Sequence, residues 1–186
     1  MSPWQINRLG KAVLQGAVFA YPTDTIWGFG CHPLHNLAVR RILDIKHRPV
    51  SKGLILLASD LQYIEPYISR GISDRDKLRL QQTGDHPTTW LVEANPDCPY
   101  WLRGEFTTIA IRLTNHSFVK QMCDSIRAPL VSTSANRSGK SPVRNATQAR
   151  RQFAGELDFI VHGFHTGGSK ASKIKSLETE KIIRTS

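Results

Sequence analysis

Short apolar runs alternate along this chain with amphipathic segments bounded by capping residues, and that interleaving constrains the fold more than any other feature. Val18-Phe19-Ala20-Tyr21 is apolar throughout and stops at Pro22, the pattern of a buried strand that delivers a loop. Ahead of it, Ser2 can cap a helix with Pro3 at its first position; Ile6, Leu9 and Val13 share one face, and Gly16 ends it. Behind it, Asn36 reads as the cap of a helix carrying Leu37, Val39, Ile42, Leu43 and Ile45. That helix must end near Arg48, because Pro49 restricts the residue before it. Residues 54–58 read as a second buried strand, 61–68 as a helix after Asp60, and 73–81 as a helix with Ser73 and Asp76 near capping-box spacing. Residues 89–94 and 108–113 alternate as strands, helices near 116–125 and 146–153 flank a strand at 130–132, and 159–161 and 181–184 close the series. Such an order predicts an α/β domain with a mostly covered sheet. The Gly/Ser/Lys stretch over 167–175 reads as its most mobile loop.

A chain of 186 residues can bury a core unaided, so 1–186 is expected to be a single domain. Its 40% hydrophobic and 22% charged content excludes a disordered chain. The apolar run at 54–58 is far short of the roughly 20 residues a membrane span needs. Met1-Ser2-Pro3-Trp4-Gln5 lacks the order of a secretory leader, so the expectation is a cytoplasmic protein without a membrane partner. Cys31, Cys98 and Cys123 are too widely spaced for a zinc or redox motif and read as reduced packing residues. The net charge of +10 suits either a polyanionic partner or a solvated basic surface. Ten of the basic residues, against four acidic ones, lie from Arg137 onward.

Ser132, Thr133, Ser134 and Asn136 follow an apolar strand, where an α/β sheet places ligands. Their hydroxyls and amide suit phosphate oxygens or a metal, and equally a turn that caps the next helix. Residues 134–141 approach a phosphate-binding P-loop, ending in Gly139-Lys140-Ser141, but Ser134 stands at the first glycine and Pro142 interrupts the helix that should follow. Lys46, Arg48 and Lys52 form a cationic turn rigidified by Pro49, either a polyphosphate clamp or a helix end that complements the macrodipole. Arg112 lies within the apolar run Ile109-Ala110-Ile111-Arg112-Leu113, and a buried cation needs an anion, whether a structural carboxylate or a ligand's. His162 and His165 lack a third ligand at metalloenzyme spacing, and no Ser/His/Asp or Cys/His set points to a covalent nucleophile.

In order, Tyr21-Pro22-Thr23-Asp24-Thr25-Ile26-Trp27-Gly28-Phe29-Gly30, Lys46-His47-Arg48-Pro49 with Lys52-Gly53-Leu54, Ile109-Ala110-Ile111-Arg112-Leu113-Thr114, and Leu130-Val131-Ser132-Thr133-Ser134-Ala135-Asn136 with Ser138-Gly139 form a set. Together they resemble the YrdC/TsaC family of threonylcarbamoyl-AMP synthases, in its short bacterial form. Ser172-Lys173-Ile174 and Ile183-Arg184 resemble the family's last motifs. One loop departs. Where the family usually has Pro-Gly-Pro-x-Thr, this chain has Asp85-His86-Pro87-Thr88-Thr89.

The resemblance implies a twisted mixed sheet with helices packed on it and a basic concave face. It implies a nucleotidyltransferase that joins L-threonine, bicarbonate and ATP into threonylcarbamoyl-AMP with release of diphosphate. The product would pass to a threonylcarbamoyl-transferase complex for threonylcarbamoyladenosine formation on tRNA. By motif, Lys46, Arg48, Ser134, Asn136 and Thr108 would hold ATP with Arg184 closing over it, and Lys46, Arg48, Ser134 and Asn136 would carry catalysis. Thr25, Lys52, Arg112, Ser132 and Ser172 would hold threonine, Arg112 taking its carboxylate. Mg²⁺ would ride on the phosphates. Direct binding of tRNA or double-stranded RNA would suit the net charge. One rival is a non-catalytic RNA-binding or ribosome-maturation protein tracking backbone phosphates. A second, a carbamoyl-transferring relative from hydrogenase maturation, belongs to much longer chains with zinc-finger and acylphosphatase parts.

Overall fold

A computed structural model describes residues 1–82, 87–162 and 170–185. The first helix, α1 (Pro3–Leu14), starts where the sequence places it. Ser2 Oγ accepts from Gln5 N–H at 3.3 Å, and Gln5 Oε1 accepts from Ser2 N–H at 2.8 Å, a complete capping box. Gly16, at φ +94°, follows its end. Ile6, Leu9 and Val13 turn inward as expected, each burial contributing about 1.5–3 kcal/mol. Gly10 lets α1 approach α5 (Ser117–Ile126) closely: a Cβ there would lie 2.3 Å from Ser125 Oγ.

The remaining helices are α2 (Asn36–Lys46), α3 (Asp74–Gln81), α4 (Tyr100–Arg103) and α6 (Ala146–Phe153). The strands are β1 (Phe19–Tyr21), β2 (Gly28–Cys31), β3 (Ile55–Ala58), β4 (Thr88–Glu93), β5 (Thr108–Leu113), β6 (Leu130–Ser134), β7 (Phe159–Ile160), β8 (Lys173–Ser176) and β9 (Ile182–Arg184). They form one mixed sheet in the order β7-β1-β2-β6-β3-β5-β4-β8-β9. Its centre is β6-β3-β5, with β3 antiparallel to β6 and parallel to β5. Helix α5 packs on β3 and β6, α1 on α5, and α3 on β5. Ile109 and Ile111 of β5 are buried in the apolar core, and Phe19, Tyr21 and Phe118 pack their rings within it.

Several expectations are corrected. His35, not Asn36, caps α2, its Nδ1 accepting from Ala38 N–H at 3.3 Å, while Asn36 opens the helix and accepts from Arg40 Nε. Residues 61–68 form two 3₁₀ turns, Leu61–Tyr63 and Glu65–Tyr67, rather than one helix, because Pro66 has no N–H to continue it. Lys173 to Lys175, expected within a loop, lie in β8, paired parallel with β4. Asp85, His86 and His165 fall outside the described residues, as does the start of the Gly/Ser/Lys stretch. The three cysteines are free and buried, and burial pushes the Cys98 and Cys123 thiols up to about 11. No helix among the described residues is long and apolar enough to cross a membrane.

Candidate active site

Strand periodicity builds the site. Along β5, Ile109 and Ile111 face the core while Thr108, Ala110 and Arg112 face the opposite way. Register carries that open face across the sheet, since Ser132 of β6 lies beside Ile55 of β3, Ile55 beside Ala110, and Ala110 beside Leu91 of β4. Over this row sits a cavity of about 470 Å³. The Thr23–Gly28 loop, the 3₁₀ turn Val50–Lys52 with its flanks, and Ser172, Ile183 and Arg184 complete its wall. Its lining among the described residues includes Arg48, Lys52, Arg103, Arg112 and Arg184, but no Asp, Glu, Cys or His. Such a wall suits an anion of high charge, and its hydroxyls have no carboxylate or imidazole beside them among the described lining residues.

The loop between β1 and β2 fixes Arg112. Thr23 Oγ1 bonds to Ile26 O at 2.7 Å and accepts from Thr25 N–H at 3.0 Å, a local turn that places Thr25 Oγ1 3.0 Å from Arg112 Nη1. Asp24 supplies the structural carboxylate, 3.1 Å from Arg112 Nη2, and itself accepts from Thr114 Oγ1 at 2.9 Å. Arg112 is thus ion-paired within the wall, and its buried Nε meets no acceptor among the described residues. Tyr21 Oη donates to Ser132 Oγ at 2.9 Å, which leaves the Ser132 proton available to a ligand. Burial pushes the Tyr21 phenol well above its ordinary value, so it stays a donor. Across the cavity, the hydroxyls of Thr89 and buried Ser172 lie 2.8 Å apart, and Arg184 Nη2 donates to Ser172 O at 2.8 Å.

Two expected ligand residues sit behind the wall rather than on it. Lys46 is 3% exposed, and its Nζ reaches Ser134 O, Asn136 O at 2.9 Å and Asn136 Oδ1 at 3.2 Å. Burial, reinforced by Arg48, pushes this ammonium down to about 7. Asn136 accepts from Ser134 Oγ and donates to the carbonyls of Arg137 and Lys140, so its amide is already occupied. A nucleotide oxygen reaches either residue only by replacing one of these bonds. The other nine expected residues, Thr25, Arg48, Lys52, Thr108, Arg112, Ser132, Ser134, Ser172 and Arg184, share the cavity wall. Sequence reasoning missed Tyr21, Asp24, Thr89, Arg103 and Phe106. The first two lay inside a quoted motif and could have been singled out as partners for Ser132 and Arg112.

The family model for Sua5, YciO and YrdC, described as "Telomere recombination", matches residues 11–186. The chain belongs to this family. A curated relative from Cellvibrio japonicus, named threonylcarbamoyl-AMP synthase, is 41% identical over 182 residues, covering 98% of this chain and 96% of that protein. A protein of the same name from Haemophilus influenzae strain KW20 is also 41% identical, over 96% of this chain and 97% of its own. Among solved structures, P. abyssi Sua5 complexed with L-threonine aligns with a TM-score of 0.88 at 24% identity over 98% of this chain. This chain spans about half of that protein, 53% of its length. The Sua5/YciO/YrdC fold is therefore the fold of this chain, with the cation-lined cavity on the sheet's open face.

Proposed function

We propose that this cavity makes threonylcarbamoyl-AMP. The threonine amine and bicarbonate give a carbamate with loss of water; a carbamate oxygen attacks the α-phosphorus of ATP, and diphosphate leaves. The reaction asks the protein to bring anions together and to stabilise charge on phosphorus. The observation that carries the reading is the lining itself, five cations with hydroxyls and no acidic side chain among the described residues.

Arg112 takes the threonine carboxylate, and Thr25, Ser132, Ser172 and Lys52 surround the amino acid. Arg48, Thr108, Ser134 and Arg184 hold the nucleotide, with Lys46 and Asn136 setting the end of β6 from behind and reaching the phosphates once a bond is exchanged. The described lining residues include no carboxylate; Mg²⁺ would enter as counter-ion to the phosphates, and no step is assigned to it. The product serves threonylcarbamoyladenosine formation on tRNA through a separate transferase complex.

The test supplies purified protein with ATP, L-threonine and bicarbonate and follows diphosphate release together with the adenylate by mass spectrometry. Release should require all three substrates. No release with bicarbonate present would leave RNA binding as the better reading. Arg112→Ala should raise the KM for threonine much more than that for ATP, and an unchanged threonine KM would remove the assigned role.

A further inference from the structure

One cation on the wall belongs to neither proposed ligand set. Arg103 ends α4, lines the cavity, and forms no ion pair among the described residues. Its Nη1 donates to Phe106 O at 2.9 Å and more weakly to Gly104 O at 3.4 Å. These bonds hold the guanidinium on the rim that leads into Thr108. The Nη2 and Nε edge is left without a protein acceptor among the described residues, and that edge has the geometry to grip two oxygens of one anion.

Backbone lacing brings this side chain to the nucleotide end. Leu54 N–H donates to Leu102 O at 2.8 Å, and Glu105 N–H donates to Ser51 O at 3.1 Å. The two segments approach so closely that a Cβ on Gly104 would lie 2.2 Å from Ser51 O, and one on Gly53 2.8 Å from Arg103 O. Positive φ at both, +67° and +59°, makes glycine the natural residue there. Arg48 joins the same corner by donating Nη2 to the carbonyls of Lys52 and Gly53, at 3.1 and 3.0 Å. Backbone carbonyls therefore fix Arg48 beside the turn and Arg103 on the helix laced to it, and Lys52 shares their wall. Cations gathered on one stretch of wall suit a polyanion.

We propose that Arg103, together with Arg48, binds the β- and γ-phosphates of the nucleotide and holds the diphosphate as it leaves. This rests on the nucleotide reading above. Arg103 reads the terminal phosphates, whereas Arg112, across the cavity, reads the amino acid.

The experiment compares wild type with Arg103→Met and Arg103→Lys, varying ATP and threonine separately, adding diphosphate as inhibitor, and titrating diphosphate calorimetrically without turnover. Loss of a charge-assisted bidentate contact should raise the KM for ATP and weaken diphosphate inhibition and binding about tenfold or more. The threonine KM should stay within about twofold, and Lys should recover only part of the loss. Should Met fail to fold, Arg103→Gln, which keeps a donor for Phe106 O without the charge, replaces it. A folded, active variant with wild-type ATP KM and diphosphate affinity would overturn the proposal, as would equal losses for ATP and threonine. Absence of diphosphate release by wild type would instead overturn the nucleotide reading, a separately visible result.

Discussion

Replacing Lys46 by Met should convert a pH-dependent stability into a flat one. An ordinary lysine titrates near 10.5 and Lys46 at about 7. The gap corresponds to about 5 kcal/mol at ~1.4 kcal/mol per pH unit, an upper limit because the carbonyl acceptors of Ser134 and Asn136 favour the charged form. Between these two values the unfolded chain binds a proton at Lys46 that the folded chain does not, so stability climbs with pH. Below about 7 both states carry the proton, and the contribution is flat at its least favourable level. From pH 7.5 to 9.5 the wild type should therefore gain about 2–3 kcal/mol relative to Lys46→Met, in which this titration is absent. The side chain is 3% exposed, so solvent screening does not erode the figure. Urea denaturation of both proteins at half-unit pH steps gives the difference directly, since groups titrating alike in each cancel. A difference constant to within about 0.5 kcal/mol would show that the carbonyl cage keeps the ammonium charged, and would refute the argument from burial.

Gly104→Ala should cost about 2 kcal/mol or more in thermal or urea unfolding, because the new Cβ meets the Ser51 carbonyl in a left-handed backbone at φ +67°. A near-neutral change would mean the two segments part easily. Tyr21→Phe should cost about 1 kcal/mol and raise the threonine KM, since Ser132 loses the donor that orients it; an unchanged KM would detach Ser132 from the amino acid. Asp24→Asn should destabilise by about 3 kcal/mol by leaving Arg112 buried without its anion, and saturating threonine should recover part of that loss. Equal melting shifts with and without threonine would place its carboxylate elsewhere.

β3 and β6 were legible as short apolar runs and β5 as an alternating one, and all three stand close to where hydropathy puts them. β2 was not legible. Its sequence, Gly28-Phe29-Gly30-Cys31, lacks strand-favouring bulk, and the reason lies in a neighbour: a Cβ on Gly30 would come within 2.9 Å of both the Phe19 and Tyr21 rings of β1. β8 is Lys173-Ile174-Lys175-Ser176, polar enough to read as loop. It becomes a strand through parallel pairing with β4, with Lys175 Nζ 5.6 Å from the centre of the Trp90 ring. Glycine needed by another strand's rings, and polarity tolerated near a sheet edge, are tertiary facts that no local window contains.

For the site, residue type and order were legible but direction was not. Lys46 and Arg48 stand two positions apart and read as one clamp, yet His47 between them adopts a left-handed backbone at φ +49° that ends α2. Lys46 consequently turns under the end of β6, while Arg48 turns into the cavity. The same separation divides Ser134 from Asn136, one on the wall and the other folded back on the carbonyls of Arg137 and Lys140. Each pair thus contributes one group on the cavity wall and one behind it. Arg112 illustrates why the distinction matters chemically. Asp24 and Thr25 each engage one of its two terminal nitrogens, so the cation is tolerated in a buried wall without ligand. The Thr23–Gly28 loop, and not the arginine alone, therefore fixes where this guanidinium stands in the wall.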